Sequence, residues 1–222
     1  MPTPGRRALP PAAPAAGAVS VNALLLHGAT KPLVFAAALL PLALLIWGAA
    51  ADTLGANPAE ALIRSAGDWT LRFLCLTLAV TPLRQWTGWH ALARLRRMLG
   101  LFTFFYGVVH FLCFAWLDMG FEIDAIVRDI GKRPFILVGT AALLSMLPLA
   151  ATSFNRAIRA LGAKRWQALH RAVYGTALLA LLHFFWMRAG KNDFAEVAVY
   201  AAVIALLLGW RLWRRIGSRV NA

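Results

Sequence analysis

The sequence predicts an all-α membrane protein, a six-transmembrane-helix bundle with both termini cytoplasmic. Three observations carry this. Apolar residues make up 60% of the 222-residue chain and charged residues only 14%, too few for the polar shell of a soluble domain. Three stretches of 20 or 21 residues carry no charge at all, and about 20 apolar residues suffice for a helix to cross the hydrocarbon core. The charges also fall on one side or the other once the spans are drawn.

In chain order, residues 1–30 are expected to be a disordered cytoplasmic tail, because their first half is dense in Pro and Ala. Arg6 and Arg7 hint at a twin-arginine signal, but the prolines that follow leave no continuous apolar stretch for one. The transmembrane domain is expected over 31–212, with spans at about 32–51, 69–83, 98–117, 134–154, 166–187 and 194–210. The first, third and fourth are the uncharged runs. The second, fifth and sixth carry Arg72, Arg171 and Glu196 within about two turns of an end, where a long side chain reaches the interface. Tryptophans near the span ends, such as Trp47, Trp86, Trp116 and Trp210, form the expected aromatic belt. Between the third and fourth spans, FEIDAIVRDI predicts a short interfacial helix ending at Gly131. Residues 213–222 are expected to be a basic cytoplasmic tail. No internal repeat is evident in the residues.

With this layout the cytoplasmic side holds 16 bases and no acid. The other side holds all nine acids with seven bases, and +16 with −2 gives the chain's net +14. Such sorting is the positive-inside pattern. It also removes nucleic acid as the partner of a basic chain, since no binding element accompanies the charge. Two cysteines, Cys75 and Cys113, make no disulfide framework and read as reduced, buried small residues.

The chemistry lies in the histidines. His27 and His90 fall in polar flanks and read as solvated. His110, His170 and His183 lie within spans, where polar groups are costly and face the bundle interior with a partner. Counted from the cytoplasmic edges at Arg97 and Arg165, and with ~1.5 Å of rise per residue, they sit roughly 20, 8 and 27 Å deep. His110 and His183 thus share the outer half and come from different helices. Two neutral imidazoles so placed can clamp an iron porphyrin as axial ligands. The absence of C-x-x-C-H makes such a haem b-type and non-covalent. Arg72, Arg133 and Arg188 are the bases available to its propionates, although Arg72 equally suits an ion pair with Asp68, four residues before it. His170 is open between an iron ligand at a second level and a hydrogen bonder in a quinone or interfacial site beside Trp166 and Tyr174. One haem or two is therefore left open. Gly100 and Gly107 read as packing positions on the third span.

Four ordered segments carry a family resemblance: RRMLGLFTFFYGVVH (96–110), KRPFILVG (132–139), PLAATS (148–153) and LGAKRWQALHRAVY (161–174), followed by His183. They resemble the MsrQ (YedZ) family, haem-binding membrane subunits of periplasmic methionine sulfoxide reductase systems within the ferric-reductase-like transmembrane group. The resemblance spans roughly residues 32–210. It implies an electron-transfer subunit in the bacterial inner membrane rather than a stand-alone catalyst. Such a subunit binds haem b and passes electrons from the quinone pool to a periplasmic molybdopterin subunit, MsrP, which repairs oxidised proteins. It further implies an association with FMN and a cytosolic flavin reductase as possible donor. His110, His170 and His183 match the family's intramembrane histidines. The related NADPH oxidases carry two histidines on each of two helices, whereas Arg97 stands 13 residues before His110 here. No FAD/NADPH domain follows the spans, so an external donor is expected. The rival readings are a ferric or quinone reductase subunit with another partner, and a non-redox transporter or scaffold. Transport lacks the acids deep in the spans that proton coupling uses.

Overall fold

The structure, a computed structural model, describes residues 20–190 and 192–220. After a short helix α1 (Val21–Leu26), α2 (Thr30–Ala50) is apolar beyond Lys31 and contains Pro41. The next helix, α3 (Pro58–Thr87), is 30 residues long. It starts where the Asn57 side chain accepts from the Glu60 N–H at 3.1 Å and Pro58 occupies the first turn. It stops at Gly88, whose φ of 71° is left-handed and suits glycine. A 3₁₀ turn (His90–Arg94) leads into α4 (Arg96–Cys113), which loosens into a π-helical turn at Phe114–Asp118. Helix α5 (Ile123–Lys132) is amphipathic and ends one residue beyond the expected Gly131. Pro134 opens α6 (Pro134–Ala151), and α7 (Asn155–His170), α8 (Val173–Ala189) and α9 (Ala195–Val220) complete the chain.

Helix α3 is the centre of the bundle. Leu71, Leu74 and Leu78, at three- and four-residue spacing, bury one stripe against Ala177 and Phe184 of α8 and Val197 and Ile204 of α9. Phe73, on another face, stacks on Phe102 at 5.5 Å and on Tyr106 at 5.3 Å, both from α4. Tyr106 is wholly buried and reaches α2: its hydroxyl donates to the Ala38 carbonyl at 2.8 Å and accepts from the Leu42 N–H at 3.2 Å. The closest helix pairs are α3 with α4 and α6 with α8. The outer faces are apolar and exposed, for example Trp47 at 71% and Leu206 at 74%. A girdle of that kind is a lipid-facing surface, and the chain is a multi-pass membrane protein.

Among the described residues, five helical segments are long and apolar enough to cross a membrane: Thr30–Ala50, Arg96–Asp118, Pro134–Ala151, Asn155–Ala189 (α7 and α8 taken together across the turn at 171–172) and Ala195–Gly217. Helix α3, expected to supply the span 69–83, is long enough but less apolar. Its sequence places Glu60, Arg64, Asp68 and Arg72 at four-residue intervals.

The helix bounds depart from the expected boundaries in three places. The tail expected over 1–30 ends earlier, because residues 21–26 are helical with Ser20 as their N-cap; residues 1–19, with Arg6 and Arg7, lie outside the described residues. The basic tail expected from 213 continues α9, which runs to Val220, and residues 221–222 lie outside the described residues. The expected span 166–187 falls within the segment Asn155–Ala189, and a turn at 171–172 divides it between the end of α7 and α8. Helix α7 ends at His170, where the Arg171 N–H turns to the carbonyls of Gln167 and Ala168, and α8 starts at Val173. The end of α7 is tethered to α6 instead: the Trp166 indole N–H donates to the Thr152 carbonyl at 2.9 Å, and His170 Nε2 meets Thr152 Oγ1 at 3.1 Å.

Candidate functional site

Two cavities lie in the bundle, of about 480 and 450 Å³, and Met146 lines both. The first has acidic and basic residues at its mouth and His110 and His183 in its wall. The second has Arg96, Arg97, Arg171, Arg211 and Arg215 in its lining, with His170.

In the first cavity the imidazoles of His110 and His183 lie with ring centres 6.0 Å apart and planes at 74°. Each ring is held from behind. Nδ1 of His110 donates to the Ile63 carbonyl of α3 at 2.8 Å, and Nδ1 of His183 donates to the Phe135 carbonyl of α6 at 2.6 Å. A carbonyl only accepts, so Nδ1 carries the proton, and in the neutral ring the Nε2 lone pair is left for another partner. These contacts join the late part of α4 to the early part of α3, and the late part of α8 to the early part of α6. Both pairs are therefore antiparallel.

The residues suit a haem. Two imidazoles 6.0 Å apart, each with Nδ1 engaged by a carbonyl and Nε2 left over, are the nitrogen donors that would hold its iron. Phe111, Phe114, Leu143 and Met146 give the cavity apolar walls, as the porphyrin body requires. Arg64 and Arg133 stand in the lining at the mouth, paired with Glu60 at 2.7 Å and Asp129 at 2.9 Å.

The sequence-predicted residues separate accordingly. His110, His183 and Arg133 are brought to one cavity and His170 to the other. Arg72 is in neither lining: its Nε–H donates to the Tyr200 hydroxyl at 3.4 Å and its guanidinium lies over Trp69 at 4.7 Å. Arg188 binds Asp193 at 2.8 Å and Glu196 at 2.5 Å and covers the Phe184 ring. His170 stacks on Trp166 with centres 4.0 Å apart. His27 and His90 are exposed, and Cys75 and Cys113 are free thiols.

Sequence reasoning missed Arg64, which sits on the part of α3 that precedes the expected span. Its four-residue spacing from Glu60 was the signal that could have found it. It also missed Gly67 and Gly139. A Cβ on Gly67 would lie 3.1 Å from His110 Nδ1, and one on Gly139 would lie 2.7 Å from His183 Nδ1.

Residues 66–181 match the family described as ferric reductase like transmembrane component. Over 189 residues the chain is 66% identical to the protein-methionine-sulfoxide reductase heme-binding subunit MsrQ of Polaromonas naphthalenivorans, covering 85% of this chain and 86% of that one. The protein of the same name from Bordetella pertussis is 57% identical over 194 residues, 86% of this chain and 94% of the relative. That from Xanthomonas campestris pv. campestris is 47% identical over 197 residues, 86% and 89% of the two chains. No solved structure matches the chain.

Proposed function

The chain belongs to the MsrQ family of ferric-reductase-like transmembrane proteins, and from that premise we propose that it is the haem b electron-transfer subunit of a methionine sulfoxide reductase system in the bacterial inner membrane. The observation that carries the proposal is the opposed pair His110 and His183, 6.0 Å apart with both Nδ1 atoms engaged behind. Haem bound there supplies a one-electron iron couple. His110 and His183 would hold its iron through their Nε2 atoms. The carbonyls of Ile63 and Phe135 fix the tautomer and make each Nε2 a better donor. The aromatic and aliphatic walls keep water away, and Arg64 and Arg133 are the bases placed for propionates.

The membrane arrangement in this reading has six spans with both termini cytoplasmic. Helix α3 is the sixth: 30 residues at ~1.5 Å each reach about 45 Å, more than the ~30 Å hydrocarbon core. Its central burial supports this, and its charged first half would stand at the mouth of the histidine cavity. The positive-inside pattern then puts the His110–His183 end toward the periplasm. There the chain would hand electrons to a molybdopterin methionine sulfoxide reductase of the MsrP type, which repairs oxidised periplasmic proteins. Electrons enter at the other end, from membrane quinol or from a cytosolic flavin reductase docking on the basic face. The arginine-rich cavity with His170, abutting the first at Met146, is the place for a second prosthetic group, a further haem or FMN.

Reduced-minus-oxidised absorption spectra of the purified protein, expressed with adequate haem, test the proposal. A b-type signal that reoxidises on adding the partner and methionine sulfoxide supports it. A protein without that signal overturns it.

A further inference from the structure

The two histidines are held by the same device, used twice. On α3 the carbonyl of Ile63 accepts from His110, and four residues later stands Gly67; on α6 the carbonyl of Phe135 accepts from His183, and four residues later stands Gly139. The sequence separations between histidine and carbonyl are 47 and 48 residues. In an α-helix the carbonyl of residue i accepts from the N–H of residue i+4, so each glycine lies directly over the carbonyl that the ring needs. Any Cβ there would press on the ring beside the carbonyl it binds. A Cβ on Gly139 would lie 2.7 Å from Nδ1, 2.8 Å from Cε1 and 3.1 Å from Cγ of His183. On Gly67 the corresponding distances to Cε1, Nδ1 and Cγ of His110 are 3.1, 3.1 and 3.7 Å. The first set lies well inside van der Waals contact, and the second is tight. Neither obstacle is the free end of a flexible chain, because each is a ring tethered at both Cβ and Nδ1.

We propose that Gly67 and Gly139 are positioning residues for the axial ligands, each admitting an imidazole against a helix so that its Nδ1–H binds the carbonyl beneath. The proposal rests on the haem reading of the His110–His183 cavity. An Nδ1–H bound to a carbonyl makes Nε2 more basic and favours the oxidised iron. Alanine at either glycine pushes the ring off its carbonyl, weakens that bond and raises the haem potential. The effect is larger at Gly139, where the approach is closer. Gly175, on the same helix as His183, has nothing within 4 Å of its Cβ position and serves as the control.

The experiment is redox titration and electron paramagnetic resonance of Gly67→Ala, Gly139→Ala and Gly175→Ala in the haem-loaded full chain. The expected result is a potential raised in the first two, more in Gly139→Ala, with a shifted low-spin signal, and no change in Gly175→Ala. Gly67→Ala and Gly139→Ala at wild-type haem content with unchanged potential and spectrum overturn the proposal. Where Gly139→Ala does not accumulate, the milder Gly67→Ala decides by the same criteria. A ¹⁵N spectrum of the histidines in haem-free protein gives an independent reading. Wild type should show Nδ1 protonated and hydrogen-bonded at His110 and His183, and each alanine variant should lose that bond at its own histidine; retention in both overturns the proposal. If wild type binds no haem, the haem reading alone has failed, and the ¹⁵N comparison still decides the role of the glycines.

Discussion

The rings of His110 and His183 stand 6.0 Å apart and nearly perpendicular, at 74°. Neither residue is free to choose that pose. Each ring is fixed by a carbonyl on the helix antiparallel to its own, Ile63 for His110 and Phe135 for His183. The relation between the two rings is therefore set by how the α3/α4 pair packs on the α6/α8 pair. A ligand cavity built on rigid helix pairs holds its donors more closely than one built on loops.

Because one group is gripped from both sides, His110→Ala and His183→Ala are expected to remove the same haem. Each single variant should lose it almost completely, and the double variant should look no worse than either. Haem-to-protein ratios from absorption of purified protein check this. A single variant retaining the full complement would refute the pairing.

His170 lines the other cavity, so His170→Ala is expected to spare the His110–His183 haem and to lower only the content of whatever occupies the arginine-rich cavity. The readout is the difference spectrum alongside flavin fluorescence after denaturation. Loss of the first haem in His170→Ala would contradict the separation of the two cavities.

The 74° between the ligand planes has a spectroscopic consequence. Axial imidazoles with nearly perpendicular planes leave the iron orbitals close in energy, which gives a strongly anisotropic low-spin signal instead of a rhombic one. Electron paramagnetic resonance of the oxidised protein is expected to show the former. A rhombic spectrum would mean that the rings lie parallel in the loaded protein.

Much of this arrangement is legible in the residues alone. The uncharged runs fall on α2, α4 and α6, and the depth count puts His110 and His183 in the same half of the membrane. The features that escape a sequence reading do so for physical reasons. Counting apolar residues finds only the second half of α3, because Glu60, Arg64, Asp68 and Arg72 hide a helix whose burial comes from Leu71, Leu74 and Leu78. The break after His170 has no proline or glycine to announce it; it coincides with the tie of Trp166 and His170 to Thr152, the residue that caps α6. Gly67 and Gly139 are equally opaque, since a glycine's neighbour across a helix interface is a property of the packing. The duplication of the histidine device has the same character: it repeats a geometry, not a residue pattern.

Tyr106 inserts its hydroxyl into the ladder of α2, between the Ala38 carbonyl and the Leu42 N–H. Those two groups would otherwise bond each other. Tyr106→Phe removes both contacts but lets α2 reclose its own hydrogen bond, so the expected cost is near the low end of the ~1–3 kcal/mol for disturbing buried polar groups. Thermal unfolding in detergent should show a modest drop with the haem spectrum unchanged. A large loss would mean that α2 cannot reclose beside Pro41.

Whether α3 crosses the membrane decides the topology, and the charges make a definite forecast. With α3 as a span, the loop before it and the turn after it lie on opposite sides; without it they share one side. With Cys75 and Cys113 replaced by alanine, Ala56→Cys precedes α3 and His90→Cys follows it, both at exposed positions. An impermeant thiol reagent on intact cells with a permeable outer membrane should label Ala56→Cys. It should reach His90→Cys, and Gly217→Cys near the end of α9, only after the inner membrane is opened. The 16 bases assigned to the cytoplasm include Arg84 in the last turn of α3, Arg94 in the connection, and Arg96 and Arg97 in the first turn of α4, and moving that group outward would invert the positive-inside bias. Equal labelling of Ala56→Cys and His90→Cys would leave five spans and set the termini on opposite sides. The basic cavity would then lose its cytoplasmic assignment, and with it the entry route proposed for electrons.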